Sequence, residues 1–236
     1  MMAVTFSSKP AEGGVMLTGV VSNEELITIP ESIEGFPVVS IAERSFRNLK
    51  GAGTRTIIIP STVTRSEPDA LDLSVNIRHI VYRGSFDTFN AFEWYSECEC
   101  MVECEDFTFT FPAGHHLSFP LFDEEMLASD MNGFDAVALK RLSKPRYLSD
   151  DCRTRYLDRM RKRSMRLAQH AVTSNDPDSL IGIFDADILS DDDLQEILEL
   201  SLSSGKVAVT STVMSEINRR FHISARSADP CRSGRP

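Results

Sequence analysis

Ile27-Thr28-Ile29-Pro30-Glu31-Ser32-Ile33 returns thirty residues later as Ile57-Ile58-Ile59-Pro60-Ser61-Thr62-Val63. Isoleucines two positions apart share one face of a strand, and the following proline, with no amide hydrogen to give a ladder, closes it. Each copy therefore reads as a short strand and a turn. Further on, Val38-Val39-Ser40-Ile41-Ala42-Glu43-Arg44-Ser45-Phe46 aligns with Val63-Thr64-Arg65-Ser66-Glu67-Pro68-Asp69-Ala70-Leu71. Apolar residues hold the first and ninth places of both, as a second edge followed by an inward-pointing anchor would require. A third, degraded copy follows at Ile77-Arg78-His79-Ile80-Val81-Tyr82, where Ile80 and Tyr82 match Ile57 and Ile59. The interval between copies falls from 30 to 23 residues, and Gly51-Ala52-Gly53-Thr54 reads as the insertion that lengthens the first one.

The combination of Ile-x-Ile-Pro with Ser45-Phe46 resembles the BspA-like bacterial leucine-rich repeats, whose turns run roughly Leu-x-x-Ile-x-Ile-Pro-x-Ser-Val-x-x-Ile-Gly-x-x-Ala-Phe. The resemblance covers about residues 20–90. Ala42 stands where that family has glycine, Ser66 where the second copy should carry a core isoleucine, and the third copy lacks its proline. What the resemblance implies is a right-handed coil of short strands stacked into a curved sheet. An antiparallel β-meander with the same punctuation is the alternative reading of the residues. Because a terminal repeat cannot bury its apolar face alone, Phe86, Phe89, Phe92, Trp94 and Tyr95 read as a cap on the stack. An exposed aromatic patch is the other reading of that cluster.

After Pro120 the apolar period changes from two to three and four. Short helices are expected at Asp123–Met131 and Phe134–Leu142. Ser149, followed by Asp150 and Asp151, has the form of an N-cap with acids in the first turn, and Cys152, Tyr156, Met160, Leu167 and Ala171 then mark a long amphipathic helix over 150–172. Asn175-Asp176-Pro177 stops it and starts the next. Ser190 with Asp191, Asp192 and Asp193 caps a further helix that Gly205 closes. The last segment, Val207–Phe221, keeps Val213, Met214, Ile217 and Phe221 on one face, although its β-branched opening also suits a strand. The stretch from Asp176 to Phe221 is similar to the helix pairs of ankyrin or HEAT arrays. The fold class expected is α+β: a short leucine-rich-repeat-type β-solenoid with an aromatic cap over 1–112, a helical domain over 113–223 and a disordered tail over 224–236.

The charge is uneven. Residues 1–139 carry 8 Lys/Arg against 21 Asp/Glu, residues 140–170 carry 11 against 3, and residues 171–236 carry 6 against 11. A block of net +8 thus interrupts an acidic chain of net charge −10. Arg153, Arg155, Arg159, Arg161, Lys162, Arg163 and Arg166 surround the apolar stripe of the long helix, and Arg155, Arg159, Lys162, Arg163 and Arg166 are the candidate interaction residues. Such a helix could bind phosphates. It lacks interleaved aromatics for base stacking, and the rest of the chain supplies carboxylates, so pairing within the protein is expected.

Chemistry is sparse. Cys98, Cys100 and Cys104, with His115 and His116 beyond, are soft ligands at a spacing that no usual zinc knuckle has, so the cysteines are expected reduced and free of metal. Asp185, Asp187, Asp191, Asp193 and Glu196 come near a calcium loop, but Leu189 and Ser190 occupy places that need an oxygen ligand and a glycine. No nucleophile elbow, phosphate loop, dinucleotide fingerprint or His-Glu-x-x-His occurs. The expectation is a non-enzymatic protein-interaction or scaffold protein of bacterial type, without cofactor, whose partner is another protein. A cell-surface adhesin-like module and nucleic-acid binding through the basic helix are the alternatives. The N-terminus has neither the basic start nor the apolar run of a secretory signal, and no segment suits a membrane span. A cytoplasmic protein is expected, or an extracellular one if a signal upstream of Met1 has been removed.

Overall fold

The isoleucine echoes lie side by side in the computed structural model, which describes residues 4–51, 53–72, 76–129 and 133–227, with side chains through Arg220. They belong to the first of two units, Met1–Ala128 and Ser129–Pro236. The strands of the first unit are β1 (Thr5–Ala11), β2 (Gly14–Val21), β3 (Leu26–Thr28), β4 (Ser32–Ile33), β5 (Phe36–Ile41), β6 (Arg55–Ile59), β7 (Arg65–Ser66) and β8 (Ile77–Tyr82). After helix α1 (Phe86–Asn90) come β9 (Tyr95–Ser96), β10 (Cys100–Glu103), β11 (Thr108–Phe111), β12 (His115–His116) and helix α2 (Leu121–Ala128). The stretch 115–128 therefore goes with the strands, and the units part after Ala128 rather than at residue 112.

The expected leucine-rich-repeat solenoid is not the fold that forms; the sheets are mixed. One runs β11-β10-β8-β6-β3, in which β3, β6, β8 and β10 are parallel and β11 closes antiparallel against β10. The other runs β1-β2-β5-β4 with β7 beside β5, and its β1–β2 and β4–β5 pairs are antiparallel. A third pair, β9 and β12, is antiparallel as well. A solenoid needs every strand to return in the same direction, and tight reversals break that rule here. Glu34 and Gly35, with φ of 53° and 85°, take the left-handed backbone that a two-residue hairpin requires between β4 and β5. Glu12-Gly13 links β1 to its antiparallel neighbour β2 by another two-residue reversal, in a region outside the repeat. Nor is the unit a meander, since its central strands are parallel.

The parallel core explains why the echoes are apolar where they are. Ile27 pairs with Ile57, Ile57 with Ile80, Ile80 with Val102, and Val102 with Phe109 across the antiparallel edge. All five side chains are buried. Ile29, Ile59 and Tyr82 are buried beside them, and the Tyr82 hydroxyl donates to the Val63 carbonyl at 2.8 Å. Each such side chain contributes on the order of 1.5–3 kcal/mol when taken out of water. Phe86, Phe89, Phe92 and Trp94 are fully buried against Tyr82 and Phe46, with ring centroids 5.4–6.2 Å apart, whereas Tyr95 is exposed. Ser66, the odd residue of the second copy, anchors this cluster through its Oγ, which accepts the indole N–H of Trp94 at 2.8 Å. Arg55 is buried at the start of β6 and donates to the carbonyls of Lys50 and Gly51.

The second unit is helical: α3 (Phe134–Ser143), α4 (Asp150–Arg161), α5 (Ser164–Ser174), α6 (Pro177–Asp185), α7 (Asp191–Ser204) and α8 (Val207–Ser227). Caps set the boundaries. Ser149 Oγ accepts the Cys152 amide at 3.2 Å, Asp176 accepts the Ser179 amide at 3.0 Å, and Ser190 and Asp193 form a reciprocal capping box. Asn175 and Gly205 adopt the left-handed conformation that ends α5 and α7. The helix expected over 150–172 is broken. Arg163 N bonds back three residues to the Met160 carbonyl at 2.9 Å and Ser164 Oγ donates to the Arg161 carbonyl at 2.9 Å, so the last turn of α4 tightens and α5 starts anew. α5 and α6 form a hairpin, α5 packs on α7, α6 packs on α8, and α3 packs on α4 and α6. Val207–Thr210 is helical, so the strand alternative for that stretch is set aside. Residues 224–227 of the expected tail continue α8, and residues 228–236 lie outside the described residues, as do 130–131 of the expected helix at Asp123–Met131. Among the described residues no helix is long and apolar enough to cross a membrane.

Candidate interaction groove

The break between α4 and α5 decides where the cations go. Arg163, placed just before α5, reaches Asp135 in the first turn of α3 at 2.8 Å, and Arg166, in the first turn of α5, approaches the same carboxylate at 3.8 Å. Arg159 lies with its guanidinium 3.8 Å from the centre of the Phe134 ring and donates to the Ser129 carbonyl at 3.0 Å. Phe134 is buried beneath it, with the Tyr156 ring at a centroid distance of 5.8 Å. Arg155 pairs at 3.4 Å with Asp151, one turn back on its own helix. Lys162 is exposed in the turn and forms no ion pair among the described residues. Of the five candidate residues, then, Arg159, Arg163 and Arg166 converge on the start of α3, Arg155 stays on α4 with Asp151, and Lys162 flanks the others.

Arg163 also lines a groove of about 510 Å³ between α3, α5 and α6. Its floor is apolar, made by Leu139, Leu167, Ala171 and Ile183, and its rim carries Asp135, Arg163, His170 and Ser179. The spacing of Arg163, Leu167, His170 and Ala171 is that of one helix face. Beside the groove Asp176 accepts both the amide of Ser179 at 3.0 Å and its hydroxyl at 2.6 Å; those hydrogen bonds, with help from His170, hold the carboxyl below its ordinary value. These acids are thus engaged: Asp135 by two guanidiniums and Asp176 by Ser179. The sequence marks the cations of this site but not the groove, because Asp135, Leu139 and Ile183 come from other helices and carry no pattern of their own.

A second cavity, of about 550 Å³, lies in the first unit and is lined by Asp69, Asp72, Tyr95, Glu97, Cys98 and His116, among others. Since a carboxylate can only accept, His116 Nδ1 donates to Glu125 Oε1 at 2.6 Å, and the backbone amide of His116 donates to the other oxygen at 2.9 Å. A base held by an acid resembles two parts of a nucleophilic triad. Among the described residues no hydrogen bond joins Cys98 to His116, so the third contact is not made. Cys100 and Cys104 turn inward at β10, and burial, aided by neighbouring negative groups, pushes both thiols up to about 12. Among the described residues no three His, Cys, Asp or Glu side chains gather as metal ligands would.

Three acids of the near-miss calcium loop, Asp187, Asp191 and Asp193, have partners within the protein. Arg220 of α8 donates to the Leu189 carbonyl at 3.1 Å, to Asp191 at 3.3 Å and to Asp187 at 3.2 Å, and Asp193 is held in the capping box of α7. A third groove, of about 410 Å³, opens between Leu202, Val207 and Met214, which are exposed apolar residues of α7 and α8. Comparison with known protein families, with curated proteins and with solved structures finds no match.

Proposed function

We propose that the chain acts by binding another protein, and that the groove between α3, α5 and α6 is where the partner docks. The observation that carries this reading is the composition of that groove: an aliphatic floor bordered by guanidinium and imidazole groups, with the start of α5 tied to α3 by the Arg163–Asp135 ion pair. Aliphatic pockets ringed by a few placed polar groups suit side chains of a peptide segment. Nucleic acid is less well served. The aromatic ring at the groove, Phe134, is buried under Arg159, so it offers no face for a base. Docking also gives the α4–α5 break a purpose, since a continuous helix would carry Arg163 and Arg166 away from their present positions.

The test is a peptide selection from a random library against the full chain, followed by binding of the selected peptides to Ala136→Trp. Ala136 is exposed and lines the groove, so the larger side chain fills it without entering the core. Selected peptides should lose affinity for the filled variant by about tenfold or more, as occlusion of a central pocket does at protein interfaces. Peptides that bind the variant as well as the parent would place the docking site elsewhere and defeat the proposal.

A further inference from the structure

We infer that the segment docking in this groove is acidic and amphipathic, with carboxylates that meet Arg163 and Arg166 and aliphatic side chains that sit on the half-buried Leu139 and Leu167. The inference rests on the groove being a protein-docking site, and it names the chemistry of the partner. Its basis is charge complementarity. Asp135 is the carboxylate that Arg163 and Arg166 share, at 2.8 and 3.8 Å, and one negative charge cannot neutralise two guanidiniums. The Arg166 side chain is 73% exposed, so most of its donor N–H groups face water. Lys162 and Arg161 stand next to them in the α4–α5 turn, exposed and without an ion pair among the described residues. His170 continues the same face along α5.

The surrounding block from 140 to 170 carries 11 Lys/Arg against 3 Asp/Glu, so its field favours an anion well beyond the contact pairs. A guanidinium fork fits a carboxylate with two parallel hydrogen bonds, and a partly desolvated groove strengthens them. The floor adds a second requirement. A simple polyanion would leave the half-buried Leu139 and Leu167 uncovered, whereas a helix or extended segment with leucine spaced along one face would cover them while presenting acids to the rim.

The experiment measures fluorescence anisotropy of a labelled synthetic peptide of glutamate and leucine, with the leucines at helical spacing, added to the full chain. Three further probes are used: the same peptide with lysine for glutamate, polyglutamate, and a single-stranded oligonucleotide. The glutamate–leucine peptide should bind. The lysine version should not, and polyglutamate and the oligonucleotide should bind about tenfold more weakly or worse, for want of the apolar contacts. Arg166→Glu should weaken the acidic peptide by about tenfold or more, and Arg166→Gln by less, because reversal adds repulsion to the lost attraction. Unchanged thermal melting shows that each variant is folded, as the exposure of Arg166 leads one to expect. Equal affinity for polyglutamate or the oligonucleotide would overturn the inference in favour of a general polyanion surface. Should the library yield neutral or basic peptides that Ala136→Trp excludes, while the acidic peptide fails to bind, the inference falls and the docking groove stands. If no peptide binds the groove, both fall.

Discussion

The two units solve opposite problems with their polar groups. In the strand unit the notable polar residues serve the interior: Ser66 holds Trp94, Tyr82 the Val63 carbonyl, and Arg55 the carbonyls of its own loop. In the helical unit Arg161, Lys162 and Arg166 lie at the surface, and of these only Arg166 has an ion-pair partner among the described residues, Asp135, which it shares with Arg163. A polar group that completes a core is fixed by its partner, and its removal is felt as lost stability. One that is incompletely matched at a groove rim remains available to a ligand, and its removal should be felt as lost binding.

The largest effect expected from this contrast is kinetic. Thiolate is the reactive form of cysteine, and with Cys100 and Cys104 pushed up to about 12 from an ordinary 9.0, the thiolate fraction falls by about a thousandfold relative to an unperturbed thiol. Labelling with a thiol reagent near neutral pH should therefore modify the half-buried Cys98 while the two inward cysteines stay unreacted until the unit unfolds. Prompt labelling of Cys100 or Cys104, read by mass spectrometry of peptides, would mean that the ladder's interior is open.

Truncation should separate the units next. Ile57 is fully buried at the middle of the Ile27, Ile57, Ile80 row, so Ile57→Ala should cost roughly 3–4 kcal/mol through lost burial and a cavity. Leu167, half-buried on the groove floor, should cost about 1 kcal/mol on the same truncation, since much of its surface already meets water. Denaturant unfolding monitored separately by Trp94 fluorescence and by helical circular dichroism reads both. Equal costs would erase the distinction between interior and groove.

Where the helical unit does bury charge, it should behave like an interior. Burial alone would raise the Glu216 carboxyl, but hydrogen bonds from Arg219 at 2.7 Å and Arg220 at 2.8 Å outweigh it and hold the group below its ordinary 4.5. A carboxyl whose folded value is depressed gives its full stabilisation above the unfolded value and loses it as pH falls through the folded one. The melting temperature of Glu216→Gln should therefore lie below that of the parent by a constant gap above about pH 5 and converge on it in more acid solution. At neutral pH the cost should be about 2 kcal/mol, less than for a fully buried pair because Arg219 and part of Arg220 meet solvent. A gap that widens with acid would reverse the assignment.

The smallest effect is local. Ser190→Ala removes one half of the capping box of α7 and should cost about 1 kcal/mol, with amide exchange faster at the start of that helix only. Exchange unchanged there would show that the neighbouring acids suffice as caps.

What can be read from the chain differs between the units for a physical reason. Same-face spacing of Ile27 with Ile29 and Ile57 with Ile59 marks strands, and the register between copies follows from their alignment. The direction of strand return is not legible, because it is set by turns such as Glu34-Gly35 whose residues also suit ordinary loops. A run of similar strands therefore suggests a coil even though antiparallel hairpins flank it. In the helical half, Ser149, Asp176, Ser190 and Gly205 act within a turn of themselves and can be read directly. The break at Lys162 cannot, since it lies in a stretch of good helix formers with no glycine or proline. The groove is hidden for a similar reason: the five candidate cations are evident as charge, but Asp135, 28 residues before Arg163, and Ile183 on another helix join them only through packing.

The measurement closest to the central claim is hydrogen–deuterium exchange of the full chain with and without the glutamate–leucine peptide. Added peptide should slow exchange in α3 and α5, over residues 134–139 and 163–171, and leave the ladder strands β3, β6 and β8 unchanged. Protection that falls instead on the strand unit, or on the α7–α8 groove at Leu202, Val207 and Met214, would contradict the account.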